Sequence, residues 1–257
     1  MSLLIDADFI VYKCCAANET EIDWGDEVIT VTSRFSEAYD MVERELYSIA
    51  NDLGCFDDSI LFFSDTANFR KAISPDYKGH RNRKKPCGYR RVINKLKEDY
   101  SVVIMPSMEA DDAIGIHATK FPGNIICSPD KDMKQIPGDL YNLSDPVQTI
   151  EKEHGDRWHF IQTLAGDQTD GYSGVPGIGI KRAEALLDEE GCTWETVVKA
   201  FAEKDLDESQ ALLNARLAKI LQVENYDFSE QSILLWEPPA TSNPGADNGA
   251  AVQDKAN

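Results

Sequence analysis

A chain of 257 residues with 42% hydrophobic and 28% charged side chains has the make-up of a soluble globular protein, with room for one large domain or two small ones. No apolar run approaches the ~20 residues of a membrane helix, and the start, Met1-Ser2-Leu3-Leu4-Ile5-Asp6, meets charge too early for a signal peptide. A net charge of −19 argues on average against nucleic acid as a partner, and six cysteines without a CxxC pair or zinc spacing point to a reducing, cytoplasmic setting.

Apolar runs and helical patterns alternate along the chain. A strand over 2–6 leads into Asp6-Ala7-Asp8, and a weaker strand signal follows at 28–32. Helix 34–53 has Phe35, Ala38, Tyr39, Val42, Leu46 and Ile49 at helical spacing. Strand 59–63 runs into Ser64-Asp65. Helix 88–99, strand 101–105 and helix 109–119 come next, the last opening with Glu109, Asp111 and Asp112. Strand 123–127 precedes Asp130 and Asp132, with a weaker strand at 139–143. Helix 156–166 precedes Asp167 and Asp170. Beyond Gly174 the pattern turns helical, at 179–188, 193–203 and 208–223, and from Pro238 it loses all periodicity. The expected fold is α/β: a mostly parallel central sheet flanked by helices over 1–166, a helical subdomain over 167–237 and a disordered tail over 238–257.

In an open α/β sheet the carboxyl ends of the strands face one crevice, where ligands bind. If these runs are neighbouring parallel strands, nine carboxylates gather at such a crevice: Asp6, Asp65, Glu109, Asp111, Asp112, Asp130, Asp132, Asp167 and Asp170. Singly, each has an ordinary explanation as a helix cap, a turn residue or a partner of the helix dipole. Together they repel one another unless hard cations neutralise them, and Mg²⁺ prefers oxygen ligands. Two such ions about 4 Å apart are the apparatus of phosphoryl transfer by metal-activated water.

The average charge hides an asymmetry. Between Arg70 and Lys97 lie eleven basic residues and one acid, Asp76, leaving 15 basic and 44 acidic residues elsewhere. Such a stripe attracts a phosphate backbone despite the overall charge, because charges beyond about 10 Å are screened at 0.1 M salt. Phe69, Tyr77 and Tyr89 in the same stretch are candidates to stack on bases. Further on, Gly174-Val175-Pro176-Gly177-Ile178-Gly179-Ile180-Lys181-Arg182 brings bare backbone N–H groups to a helix start, a surface suited to phosphate.

These motifs, in this order, resemble the 5′-nuclease (flap endonuclease) superfamily, and most nearly the 5′→3′ exonucleases of T7-like bacteriophages. The resemblance rests on Asp6-Ala7-Asp8, Ser64-Asp65 through Lys71, Asp76-Tyr77-Lys78-Gly79-His80-Arg81, Lys84 through Tyr89, Glu109-Ala110-Asp111-Asp112, Asp130-Lys131-Asp132 and Gly166 through Gly174. It runs from about Leu3 to Trp236.

The resemblance implies that the nine acids hold two Mg²⁺ ions, for which Mn²⁺ substitutes. It implies that Arg70, Lys78 and Arg81 act on the scissile phosphate, and that the basic segment, about 70–97, carries an arch for a 5′ single strand. Lys71, Tyr77, Lys84 and Lys85 would contact DNA there. Gly174, Gly177, Gly179 and Lys181 would form a helix-hairpin-helix-like element that holds duplex and a K⁺ ion. Implied substrates are double-stranded DNA with 5′ ends, 5′ flaps and RNA–DNA hybrids, cut in phage replication and recombination alongside phage replication proteins.

Three other readings remain on the residues alone. A flap endonuclease acting mainly on branched DNA uses the same motifs. A PIN-type endoribonuclease shares the carboxylate crevice but lacks a call for the glycine hairpin and long basic segment. A non-catalytic DNA-binding scaffold has no need of every acid, and none is missing. With four histidines and no Ser-His-Asp or Cys-His set, covalent nucleophilic catalysis is disfavoured.

Overall fold

The computed structural model describes residues 1–55, 58–81 and 84–239. The chain opens with β1 (Leu3–Asp6), α1 (Ala7–Ala17), β2 (Thr20–Asp23), β3 (Ile29–Thr32), α2 (Phe35–Leu53), β4 (Ser59–Phe62) and α3 (Phe69–Ile73). It continues through α4 (Tyr89–Asp99), β5 (Ser101–Val103), α5 (Ala110–Lys120), β6 (Ile125–Cys127), a 3₁₀ turn at Lys131–Gln135, β7 (Gly138–Tyr141) and β8 (Gln148–Ile150). Then come α6 (Lys152–Ala165), the pair β9 (Gly166–Asp167) and β10 (Tyr172–Ser173), α7 (Ile180–Glu190), α8 (Trp194–Ala202) and α9 (Glu208–Ala218). A 3₁₀ turn at Val223–Asn225, β11 (Tyr226–Asp227) and β12 (Ser232–Ile233) close the described chain.

The central sheet has the order β5-β4-β1-β6-β7-β8, with every neighbour parallel except the antiparallel β8. Alternate residues of a strand point to opposite faces, and both faces are covered. Leu3, Ile5, Leu61 and Cys127 pack under α1, α2 and α4, while Leu4, Phe62 and Ile126 pack under α5. Burial on both sides explains why these strands read as unbroken apolar runs. From β1 the chain passes to β4 and β5 on one side, then returns to β6 and β7 on the other. β1 is therefore where the strand order reverses, and its carboxyl end opens on the crevice.

The parallel strands and the helices at 34–53, 88–99 and 109–119 stand where the sequence places them, within a residue or two. Other features differ: α6 begins four residues before the expected 156, and α9 ends five residues before the expected 223. Strand 28–32 forms β3, which pairs only with β2 in a separate antiparallel hairpin and adds nothing to the central sheet. Helix α1 buries one face, through Ala7, Ile10, Val11, Cys14 and Cys15, but its exposed positions include Phe9 and Ala17, so the sequence shows little polar contrast between the faces. The edge strand β8 is short and largely exposed, so it lacks an apolar signature. Of the segment 238–257, all but 238 and 239 lie outside the described residues.

Helices α6 to α9 pack around a second cluster that includes Phe160, Leu164, Val175, Leu187, Trp194, Phe201 and Ala215. Gln135 fastens this layer to the sheet. Its amide donates to Gln162 Oε1 and the Ala218 carbonyl at 2.6 Å each, and its Oε1 accepts from the Ile220 N–H at 3.0 Å. The chain after α9 also runs close along α5: a Cβ built on Gly115 would stand 2.2 Å from the Leu221 carbonyl oxygen. Gly115→Ala must push these backbones apart, and overpacking of this kind costs roughly 1–3 kcal/mol. The expected result is a lower urea midpoint with an unchanged slope. Gly179→Ala, which has open space and an extended backbone, should leave the midpoint where it is.

Candidate active site

The acids collect at the carboxyl edge of the sheet, delivered by several different elements. Asp6 ends β1, and its Oδ2 accepts from Ser128 Oγ at 3.0 Å, whose oxygen in turn accepts from the Asp130 N–H at 3.2 Å. Burial and neighbouring Asp8 push Asp6 up to about 6. Asp65, past β4, accepts from the N–H groups of Ser107 at 2.8 Å and Thr66 at 2.7 Å, which hold its carboxyl below the ordinary range. Glu109 caps α5 and, with Asp111 and Asp112, offers carboxylate oxygens all within 4.8 Å of one another. Burial raises Asp111 well above the usual carboxylate range, and the charges of Asp112 and Glu109 add to the effect.

On the other side of the crevice, Asp130 caps the 3₁₀ turn, accepting from the Asp132 N–H at 2.9 Å. Asp132 is pushed up to about 7 by burial and by Asp130, with smaller contributions from Asp167 and Asp170. Its Oδ1 is buried without a hydrogen-bond partner among the described residues. A buried, partnerless carboxylate oxygen among acids forced toward protonation is what a cation site looks like before the cation is added. The donors are all hard oxygens, which fits Mg²⁺ or a similar ion.

Lys78 and Arg81 reach this crevice from the basic segment. Lys78 Nζ lies 2.5 Å from Glu109 Oε1 and 3.6 Å from Asp170 Oδ2. Arg81 donates to Asp170 Oδ1 at 2.7 Å and to the Thr169 carbonyl at 2.9 Å. Although burial opposes charge on Glu109, Lys78 and Arg70 outweigh it and lower its carboxyl below the ordinary range. Asp167 turns inward on its own loop, accepting from the Thr169 N–H and hydroxyl.

Several residues assigned to substrate have other work. Arg70 is only 2% exposed and cannot meet a phosphate. It grips Asp112, itself fully buried, through two hydrogen bonds of 2.6 and 2.8 Å, and donates to the carbonyls of Leu217 and Lys219. Both Asp112 oxygens are so engaged, and Oδ1 also accepts from the Leu221 N–H at 3.1 Å, which leaves Asp112 a poor metal ligand. Phe69, Tyr77 and Tyr89 are buried, so no ring face is open to a base. The Tyr77 hydroxyl bridges the crevice instead, 2.9 Å from Glu109 Oε2 and 2.8 Å from Asp170 Oδ2, donating to one at a time. Tyr89 donates to Asp8 at 2.5 Å. Asp8, absent from the nine, also accepts from the Ser64 N–H at 2.8 Å and so joins β4, α1 and α4. Its signal was the Asp-Ala-Asp spacing, which puts a second acid in the first turn of α1.

Lys71, Lys84, Lys85 and Lys181 are exposed, as phosphate contacts must be. In the hairpin, Gly177 sits at φ +82, a conformation that favours glycine, and Gly179 precedes α7 with open space around it. Gly174 serves packing: a Cβ there would stand 2.2 Å from the Ala165 carbonyl carbon.

Residues 1–162 match the family described as 5′-3′ exonuclease, N-terminal resolvase-like domain. The chain belongs to this family. It is a nuclease of the 5′-nuclease superfamily. An exodeoxyribonuclease of Enterobacteria phage T3 is 28% identical, with 92% of each chain covered, and an exonuclease of Escherichia phage T7 is 28% identical over 92% of this chain and 93% of the relative. A structure described as divalent zinc ions bound to T5 5′-exonuclease shares the fold, with a TM-score of 0.65 at 16% identity over 84% of this chain and 88% of that one.

Two expectations test the electrostatics. Arg70→Met leaves the Asp112 charge buried and alone, a loss of about 3–5 kcal/mol by urea unfolding. Adding Asp112→Leu removes the stranded charge and should recover much of that loss, which a simple cavity at Arg70 would not allow. Asp6 and Asp132 are raised above the unfolded carboxyl value, so the folded chain binds more protons and loses stability as pH climbs from about 4 through 7. In EDTA, these two acids should make the fold more stable near pH 5 than their ionised forms allow near pH 8. Divalent metal should therefore raise the melting temperature more at pH 8 than at pH 5, and equal shifts would remove these acids from the ion site.

Proposed function

We propose that the chain is a Mg²⁺-dependent 5′→3′ exodeoxyribonuclease that also cuts 5′ flaps and removes RNA from RNA–DNA hybrids, leaving 5′-phosphate and 3′-hydroxyl ends. The observation that carries this reading is the under-neutralised acid crevice, above all the buried, partnerless Asp132 oxygen, set against Lys78 and Arg81. The family relationship and the phage relatives, which span nearly the whole chain, support the polarity and a role in phage DNA replication and recombination inside the infected cell.

Asp6, Asp111, Asp130 and Asp132 would hold two Mg²⁺ ions, or Mn²⁺ in their place, with Asp65, Glu109, Asp167 and Asp170 binding or orienting their waters. Bound divalent ions supply a water nucleophile at neutral pH and neutralise charge on the phosphate. Lys78 and Arg81 stand where a cation can meet the phosphate under attack, and their present partners Glu109 and Asp170 keep them aimed at the crevice. Lys71, Lys84 and Lys85 draw the strand along the basic segment, the proposed arch. Residues 174–183 hold duplex backbone through the N–H groups at the start of α7, with Lys181 and a K⁺ ion beside them. Residues 1–166, apart from α6, which packs with the helical layer, then form the cutting unit, and 167–237 together with α6 the unit that holds duplex.

Digestion of 5′-labelled duplex, flap and hybrid substrates with Mg²⁺, and again with EDTA, tests the reading directly. Release of labelled mononucleotide only with Mg²⁺ supports it, whereas internal cutting of single-stranded RNA alone would sink it. Asp132→Asn should abolish cleavage while duplex binding persists. Lys78→Ala should slow the cutting step by about 10²–10³-fold, the scale of losing one preorganised charge-stabilising group, with little change in duplex affinity.

The hairpin has its own test. Gly179→Val accommodates its side chain without strain, so the fold should survive while close approach of phosphate is blocked. Duplex affinity should drop and its dependence on salt should flatten. An unchanged salt slope in a folded variant means that duplex is held elsewhere.

A further inference from the structure

A second concavity, of about 370 Å³, lies away from the acid crevice, walled by Lys219, His159, Phe160, Cys192, Glu224 and Trp236. Its volume lies within the range of small-ligand pockets. Lys219 is only 4% exposed, yet its ammonium has no hydrogen bond or ion pair among the described residues. Glu224 and Asp156 act on it only through space, and burial lowers its pKa. The other charges at the rim are satisfied: Lys152 pairs with Asp156 at 2.9 Å, and Arg216 pairs with Glu237. Lys219 and Glu224 are thus the charged groups of this wall left without an ion pair among the described residues.

The remaining wall is largely aromatic, with Trp236 and Phe160 at nearly right angles. The Trp236 ring lies edge-on to His159 and Phe160, with centroids 5.1 and 6.2 Å away. His159 stays neutral, since burial lowers its pKa to about 3 and its Nε2 is taken by the Ala215 carbonyl at 2.8 Å. A buried charge without a partner is costly, and chains keep one where something binds it.

We propose that this cavity binds a small phosphate-bearing molecule with a flat ring, of the class of a nucleoside monophosphate. The phosphate meets Lys219 Nζ, the ring lies against Trp236 and Phe160, and Glu224 accepts from a sugar hydroxyl or base amine. This site is separate from the nuclease crevice and does not depend on the nuclease reading. Lys219 also joins the buried clamp behind the crevice, because its carbonyl accepts from Arg70 Nη2 at 2.5 Å while its side chain lines the cavity.

The exposed thiol of Cys192 reports on occupancy. The full chain in EDTA is treated with iodoacetamide, and the peptide carrying Cys192 is followed by mass spectrometry, with dAMP, inorganic phosphate or deoxyadenosine present. dAMP should slow the labelling several-fold, and phosphate or deoxyadenosine alone should do so only at higher concentration. Lys219→Met should weaken the protection by dAMP roughly ten- to a hundredfold, the range for losing a charged hydrogen bond. Protection that survives in Lys219→Met, or no protection by millimolar dAMP, overturns the site. Deoxyadenosine protecting as well as dAMP overturns the role of the ammonium in wild type, whether or not the variant folds. Phosphate alone matching dAMP overturns the ring contact.

Discussion

The buried guanidinium of Arg70 is the contact on which the rest of the site depends. It leaves α3, grips Asp112 at the start of α5, and donates to two carbonyls, Leu217 and Lys219, at and just past the end of α9. Three elements distant in sequence are fixed to one planar group. Arg is suited to this because its fork matches a carboxylate and leaves further donors for carbonyls. Taking two charges out of water is expensive, and the pair is tolerable only because nearly every donor and acceptor is used. The consequence is positional. Asp112 turns into the fold, and its neighbours Glu109 and Asp111 are left at the crevice on a helix start that cannot rotate.

That clamp leaves a second electrostatic problem unsolved. Asp6, Asp132 and Asp111 are all pushed toward protonation by burial, while Lys78 and Arg81 reach in only as far as Glu109 and Asp170. The positive charge therefore covers one side of the crevice, and the side formed by Asp6, Asp130 and Asp132 has no basic side chain in hydrogen-bond contact among the described residues. A cation bound on that side would supply the compensation, and the all-oxygen donor set favours a hard one. Tyr77 sits between the two sides, its hydroxyl able to serve Glu109 or Asp170, so the basic segment is tied to both halves of the site by a neutral group.

Much of this was legible in the sequence, because the strands that carry the acids are buried on both faces and so appear as apolar runs ending in Asp or Glu. The gathering of Asp6, Glu109, Asp111, Asp130 and Asp132 follows from strand order once those runs are taken as parallel neighbours. Helix α1 escaped because its outward positions are themselves largely apolar, Phe9 and Ala17 beside Lys13, so its pattern has little polar contrast to set a helical period. The β2–β3 hairpin escaped the central sheet because it is exposed throughout, and local alternation cannot say which strand a strand pairs with.

The basic segment shows where composition stops being informative. Eleven cations against one acid set the sign of the local field, and Lys71, Lys84 and Lys85 are exposed as that field requires. The same composition says nothing about which individual cations and rings face outward. Arg70 is claimed by Asp112, Tyr77 by Glu109 and Asp170, and Tyr89 by Asp8, partners between 32 and 93 positions away. Each of those partners is an acid at the crevice or just behind it, so a basic, aromatic stretch beside many carboxylates spends part of its side chains on the fold's own negative charge. Only the cations that remain, and the two that stop at the crevice mouth, are left for a phosphate backbone.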